Sequence, residues 1–222
     1  MFAKNLISKN IAVLKTSTTG IQALSIMEEL KISHLPIVNN VDYLGLISED
    51  DIFEMNQLEE AIGNYQLSKK RPFVYDYIHI FDIIKTMDLE KISVIPVLDK
   101  SKEHYIGSIS KTSLIDSFSS ISALSQPGGI IVLEMPSNGY QLSEITQIVE
   151  SNDASILACF VNGKKDSSLL EVTLKINKED ISAIAQTFNR YDYTIMMSYA
   201  KQDDNWDELK DRWGLLMKYL DM

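Results

Sequence analysis

Apolar side chains recur along the first half of this chain in an order that is used twice. A β-rich stretch, Ile11-Ala12-Val13-Leu14, precedes Ile21, Leu24, Met27 (with Ile26) and Leu30, whose spacing puts them on one face of a helix. Then come Ile32-Ser33-His34-Leu35-Pro36-Ile37-Val38, a polar turn at Asn39-Asn40, and Leu44-Gly45-Leu46-Ile47-Ser48, which predict two short strands joined by a turn. The order returns as Phe73-Val74-Tyr75, then Ile80, Ile83, Ile84 and Met87. It continues as Ile92-Ser93-Val94-Ile95-Pro96-Val97-Leu98, a turn over residues 99–103, and Ile106-Gly107-Ser108-Ile109-Ser110. The offset is 60 from Met27/Met87 through Pro36/Pro96 and 62 at Gly45/Gly107 and Ser48/Ser110, so the second copy has two extra residues in its turn. Each copy closes on a helix start. Ser48 precedes Glu49-Asp50-Asp51-Ile52, a capping-box-like pattern, and Ser110 precedes Lys111-Thr112-Ser113-Leu114. A repeat of this size predicts two similar modules packed on each other, with any shared site between them.

The pattern changes after residue 120. Residues 121–129 hold a Pro127-Gly128-Gly129 breaker and read as a linker. A strand over Ile130–Met135 follows, then a helix marked by Leu142, Ile145, Ile148 and Val149. Next come a strand from Ala154 to Val161 with a turn at Asn162-Gly163-Lys164, and a strand from Leu169 to Ile176. A helix marked by Ile181, Ile184, Ala185 and Phe188 and a strand from Tyr193 to Tyr199 complete the set. That order, βαββαβ, is the ferredoxin-like plan, which many unrelated functions share. In residues 201–222, Trp206, Leu209, Trp213, Leu216 and Leu220 are spaced 3, 4, 3 and 4, the apolar stripe of an amphipathic helix. Gly214 within it costs about 1 kcal/mol of helix propensity, so packing must compensate. The predicted fold class is α+β.

The repeated Ile-Ser-x-Leu-Pro-Ile and Ile-Ser-x-Ile-Pro-Val segments, each followed by Gly-x-x-Ser, resemble the tandem CBS (cystathionine β-synthase) domain over residues 1–120. The copies run from about 1 to 58 and 65 to 120. Two such copies form a Bateman module. Residues 130–200 look like an ACT domain, a small regulatory module that often binds amino acids. The whole chain resembles bacterial CBS–ACT proteins of the acetoin-utilisation type, without a catalytic domain. The resemblance implies a non-catalytic sensor that binds an adenine nucleotide (AMP, ADP or ATP) or a related adenosyl ligand in the CBS cleft. The small-molecule regulatory ligand would alter a homodimer or the surface offered to a partner protein. The alternative is a structural module with an empty CBS cleft that works through its dimer interface.

In CBS modules that bind adenine nucleotides, a Gly-x-x-Ser/Thr-x-x-Asp pattern sets a hydroxyl and a carboxylate on the ribose. Gly45, Ser48 and Asp51 match it. A carboxylate can accept from both ribose hydroxyls, and a serine can donate or accept. The competing reading is a plain N-cap at Ser48 with Asp50 and Asp51 at the positive end of a helix; capping occurs in either case. In the second copy Ser110 keeps the hydroxyl but Ser113 stands where the Asp belongs, so at most one good ribose site is expected, using Asp51. His34 lies where some nucleotide-binding CBS proteins carry a basic residue that meets phosphates, and its counterpart is Val94. A lone histidine in a strand is more often a surface or core residue. Lys69-Lys70-Arg71, the only compact basic run, reads as a solvated linker. The Pro136–Tyr140 loop has Asn138-Gly139 and no Asp where ACT domains often carry Asp-x-Pro-Gly, so sheet pairing in a dimer is expected of this domain more than amino-acid binding.

Charge narrows the partners. The formal net charge is −10, and acidic residues outnumber basic ones in each of 1–120, 121–200 and 201–222. That argues against a nucleic-acid groove and against attraction to anionic membrane lipid. No apolar run approaches the roughly 20 residues of a membrane helix, and the first residues lack a signal-peptide core. Cys159 is the only cysteine, which excludes an internal disulfide and makes the cytoplasm the default location. It sits in Leu157-Ala158-Cys159-Phe160 and is expected to be buried and inert. The three histidines have no metal-ligand spacing, and no phosphate loop or nucleophile elbow is present. No catalytic residue, metal site or required cofactor is expected.

Overall fold

The duplicated pattern of the first 120 residues folds into duplicated elements. The computed structural model describes residues 1–8, 10–65, 71–120, 125–163 and 167–199. The expectations for Lys69, Lys70, residues 121–124, Lys164 and the helix at 201–222 lie outside them. The chain divides into two compact units, Met1–Ser120 and Ile121–Met222. In the first, copy one comprises α1 (Gly20–Leu30), β1 (His34–Asn39), β2 (Asp42–Ser48) and α2 (Glu49–Phe53). Copy two comprises β3 (Val74–Tyr75), α3 (Ile80–Leu89), β4 (Val94–Leu98), β5 (Tyr105–Ser110) and α4 (Lys111–Ser119).

The repeat reaches individual hydrogen bonds. Lys31 and Lys91 both take left-handed backbone, φ 54° and 52°, where α1 and α3 stop. Ile32 N donates to Met27 O at 3.0 Å, and Ile92 N to Met87 O at 3.1 Å. The β1–β2 and β4–β5 ladders are antiparallel, with Pro36 and Pro96 opposite Leu46 and Ser108 and a bulge after Ile37 and Val97. The leading strands are shorter than expected. Val74–Tyr75 pairs in parallel with β4, whereas Ile11–Leu14 contributes only a Leu14–Ile37 bridge, because Leu14 alone in that stretch is buried.

The segment before each copy packs on the other copy. Phe2 bridges His79, Ala3 N donates to Ile78 O at 2.8 Å, and Ala3 and Leu6 belong to the core of copy two. Reciprocally, Ala61 bridges Thr19, Ile62 N donates to Thr18 O at 2.8 Å, and Ile62 belongs to the core of copy one. Separating the copies would uncover both cores. A further cluster of Val38, Tyr43 and Leu98, with Tyr75 and Tyr105 against it, closes the seam.

Two details depart from expectation. The buried stripe of α1 is Gly20, Ala23 and Met27, and Ile21 is exposed; Gly20 abuts Ile52 and the Leu58 carbonyl, which turns the helix by about one position. In α3 the buried residues are Ile80, Ile83 and Met87, with Ile84 exposed. The matched glycines share ladder register but not surroundings. Gly107 has φ +152° and packs against Ile7, while no described atom lies within 4 Å of a Cβ built at Gly45.

The second unit holds β6 (Ile130–Pro136), α5 (Leu142–Glu150), β7 (Ile156–Gly163), β8 (Leu169–Ile176), α6 (Ser182–Arg190) and β9 (Thr194–Tyr199). The sheet order is β7-β8-β6-β9 and every pairing is antiparallel, a ferredoxin-like sheet with its first and third strands central. Alternation along β6 and β8 sends Ile131, Leu133, Val172 and Leu174 to one face, where Ile145, Ile148 and Phe188 from the two helices meet them. Leu142 is exposed, outside that core. Cys159 is half-buried and not fully buried as expected, because β7 is an edge strand. No described helix is long and apolar enough to cross a membrane.

Candidate functional site

The end of β2 and the start of α2 hold the first candidates. Ser48 is extended (φ −95°, ψ 164°), so its side chain can cap the helix that follows. Ser48 Oγ accepts from Asp51 N at 3.0 Å and donates to Asp51 Oδ2 at 2.7 Å; Ser48 N also donates to Oδ2, at 2.8 Å. Both bonds to the carboxylate end on Oδ2, and Oδ1 takes no part in the cap.

His34, at the start of β1, lies on the seam. Its Nδ1 is 3.1 Å from Ser33 Oγ and 3.2 Å from Ser93 Oγ, and Ser93 N donates to it at 3.4 Å. Ser33 N donates to Ser93 Oγ at 3.1 Å, so the matched serines of the two copies meet around one imidazole. A ring nitrogen that accepts a backbone N–H carries no proton, which assigns the proton to Nε2. Burial pushes the imidazole below its ordinary 6.5; Asp51 opposes this, Lys111 adds to it and Asp50 opposes it. The unfolded chain therefore binds the proton more readily than the folded one. Stability from this group is full above 6.5 and is lost as the pH falls through the folded value. His34→Gln is expected to flatten that part of the stability–pH curve. Chemical denaturation at a series of pH values checks it, and an unchanged slope just below 6.5 would contradict it.

His34, Ser48 and Asp51 open onto one cleft of about 120 Å³, with Leu46 from copy one, Glu90 and Ile92 from copy two, and Pro72. Three of the five sequence candidates thus come together; Gly45 and Ser110 do not line it. His34 is neither a surface nor a core residue but a half-buried seam residue facing the cleft. Sequence reasoning missed Glu90, Ile92 and Pro72. Glu90 precedes the second Lys-Ile-Ser segment and Ile92 lies within it, so a repeat folded face to face was the available signal. Arg71 is also no solvated linker residue. Its guanidinium lies 5.4 Å from the centre of the Tyr43 ring and donates to Tyr43 O, while Tyr43 Oη donates to Pro72 O at 2.9 Å. Burial pushes the Tyr43 hydroxyl up.

The second copy repeats the cap without the carboxylate. Ser110 Oγ accepts from Ser113 N at 3.1 Å, and Ser113 Oγ accepts from Ser110 N at 2.9 Å. Ser110 is buried, and so is Val94, the counterpart of His34. Among the described residues no group of three or more His, Cys, Asp or Glu could hold a metal ion.

Two copies of one strand–helix unit, exchanging leading segments around a seam, define a tandem CBS pair. The CBS domain family matches residues 3–56 and 62–120, over half the chain, and the chain belongs to that family. Among solved structures, a CBS domain pair/ACT domain protein from Thermotoga maritima is 16% identical, with 53% of this chain and 96% of that one covered, at a TM-score of 0.47. CBSX2, an Arabidopsis thaliana CBS-pair protein solved in complex with AMP, is 19% identical over 55% of this chain and 98% of its own, TM-score 0.47. The CBS domain of a bacterial CNNM/CorC family Mg2+ transporter in complex with ATP is 12% identical over 52% and 85%, TM-score 0.42.

Proposed function

We propose that this chain is a non-catalytic sensor whose CBS cleft takes an adenine nucleotide or related adenosyl ligand and acts through a homodimer. The observation that carries the reading is the convergence of Ser48, Asp51 and His34 on a cleft whose far wall, Glu90 and Ile92, belongs to the other copy. Asp51 Oδ1 accepts from a ribose hydroxyl while Oδ2 keeps the helix capped. A ligand spanning both walls shifts the packing of one copy on the other by its differential affinity for the two arrangements. Small-molecule sites usually measure about 300–1,000 Å³, so the 120 Å³ cleft must widen to admit a nucleotide. Binding is thereby coupled to movement at the seam, as a sensor requires. The homodimer reading draws on Phe53, Phe81, Leu89 and Ile115, all on helices of this unit or at their ends and all more than 60% exposed.

The same small volume favours the second reading, an interaction module with an empty cleft. Calorimetric titration with AMP, ADP, ATP and adenosine, beside a thermal-shift series, decides between them. The expected result is one adenine ligand per chain and a rising melting temperature, since a ligand at 100 times its Kd stabilises the native state by about 2.7 kcal/mol. No heat and no shift with any of the four, in a chain that light scattering finds dimeric, would establish the interaction module instead.

A further inference from the structure

Exposed apolar side chains on the helices of the CBS pair fall at matched places. Ile21 and Phe81 are the second residues of α1 and α3, and Phe53 and Ile115 come five residues after the caps Ser48 and Ser110; all four are exposed. In copy one, α1 and α2 border a groove of about 680 Å³. Leu24 and Glu28, Glu49 and Phe53, and the seam serines Ser33 and Ser93 line it. Its charged lining is Glu28 and Glu49 against Lys31, a net negative charge. Glu49 N donates to Ser33 O at 3.0 Å and Lys111 N donates to Ser93 O at 3.1 Å, so the first residues of α2 and α4 stand at matched places beside the seam. The matched residues themselves carry opposite charge.

A face that carries its apolar residues twice fits a second copy of the chain in two orders. Either like copies oppose each other, or copy one opposes the partner's copy two. Charge separates these orders. α1 and α2 carry five acidic residues, Glu28, Glu29, Glu49, Asp50 and Asp51, and no basic one, a balance of −5. α3 and α4 carry Asp82, Asp88 and Asp116 with Lys85 and Lys111, a balance of −1. The charged residues directly after these helices, Lys31 and Glu54 in copy one and Glu90 and Lys91 in copy two, leave both balances unchanged. Opposing like copies sets −5 against −5 in one half of the contact and −1 against −1 in the other. The crossed order sets −5 against −1 in both halves. Repulsion grows with the product of the charges, so the crossed order is favoured. We infer that two chains pair through this helical face in the crossed order, α1 and α2 of one protomer against α3 and α4 of the other. The inference rests on the homodimer reading above and adds which copy meets which. The twofold makes two equivalent contacts. In each, the partner's α4, led by its one basic residue, lies on the acidic groove between α1 and α2, with Ile115 beside Phe53.

Cross-linking of the full chain reads the order. With Cys159→Ser removing the native thiol, Phe53→Cys and Ile115→Cys each place one thiol at an exposed position. A chain carrying both should give a dimer-mass product with a short bis-maleimide, and peptide mapping should join position 53 to position 115. Each single variant should stay at monomer mass, while light scattering finds the parent chain dimeric. Dimer-mass product from the single variants, joining like positions, would overturn the crossed order and leave the homodimer standing. A dimeric parent whose variants give no product would put the contact elsewhere and overturn the inference too. A monomeric parent would overturn the inference and the homodimer together, while the adenine-ligand titration still judges the cleft by itself. If either variant loses its native far-UV circular dichroism, Ile21→Cys and Phe81→Cys, the other exposed matched pair, supply the same readout.

Discussion

Asp51→Ser is expected to weaken adenine-ligand binding by about 10- to 150-fold, the worth of one hydrogen bond to a charged group. Serine is the informative replacement because the protein already uses it. At the matched place in copy two, Ser113 completes the cap of α4 with bonds of 2.9 and 3.1 Å. Asp51→Ser therefore preserves the start of α2 and removes only the second carboxylate oxygen. Asp51→Ala would confound the two effects, since losing a cap costs about 0.5–2 kcal/mol by itself. The companion variant, Ser113→Ala, lies in the copy whose His34 counterpart is the buried Val94, and should leave affinity unchanged. Isothermal titration of both variants reads the difference. Equal losses would remove Asp51 from the site and make its carboxylate a cap only.

The parts of the fold written in local pattern were legible in the sequence. Strands β1, β2, β4 and β5 follow from apolar runs around Pro36 and Pro96, and the caps at Ser48 and Ser110 follow from residues three positions apart. The ferredoxin-like order followed from alternation between periods of two and about four. What escaped was non-local. Ala3, Leu6 and Ile62 sit in short segments with no period, and their burial in the opposite copy depends on how the copies meet. The site shows the same division. Ser48 and Asp51 are joined by a local cap, so their spacing revealed them. Glu90 and Pro72 reach the cleft only through packing across the seam. His34 carried a weak signal as a single residue, and its place became evident from Ser93, 59 positions away.

Gly128→Ala is expected to destabilise the second unit by about 2–6 kcal/mol. Its backbone has φ +153°, a conformation that L side chains rarely adopt, and a Cβ there would overlap the carbonyl oxygen of Ile176. Holding a non-glycine residue in such a region costs about 1–3 kcal/mol, and forcing an added carbon into packed surroundings adds about 1–3 kcal/mol. The obstruction is backbone, not a flexible side chain, and that backbone is pinned. Ile176 N donates to Gly129 O at 2.9 Å, Gly129 N donates to Lys178 O at 2.6 Å, and Lys175 Nζ donates to Gly128 O at 2.7 Å. Moving Ile176 aside would therefore break the bonds that start the β6–β8 pairing. Gly129→Ala should cost less, because its backbone is outside the left-handed region and its Cβ first meets the Ile181 side chain, not a backbone carbonyl. Urea denaturation of the full chain followed by far-UV circular dichroism measures both. The transition of the second unit should fall for Gly128→Ala while that of the CBS pair holds. A Gly128→Ala variant within about 0.5 kcal/mol of the parent, the range of ordinary surface substitutions, would show that the entry to β6 yields without breaking its bonds to β8.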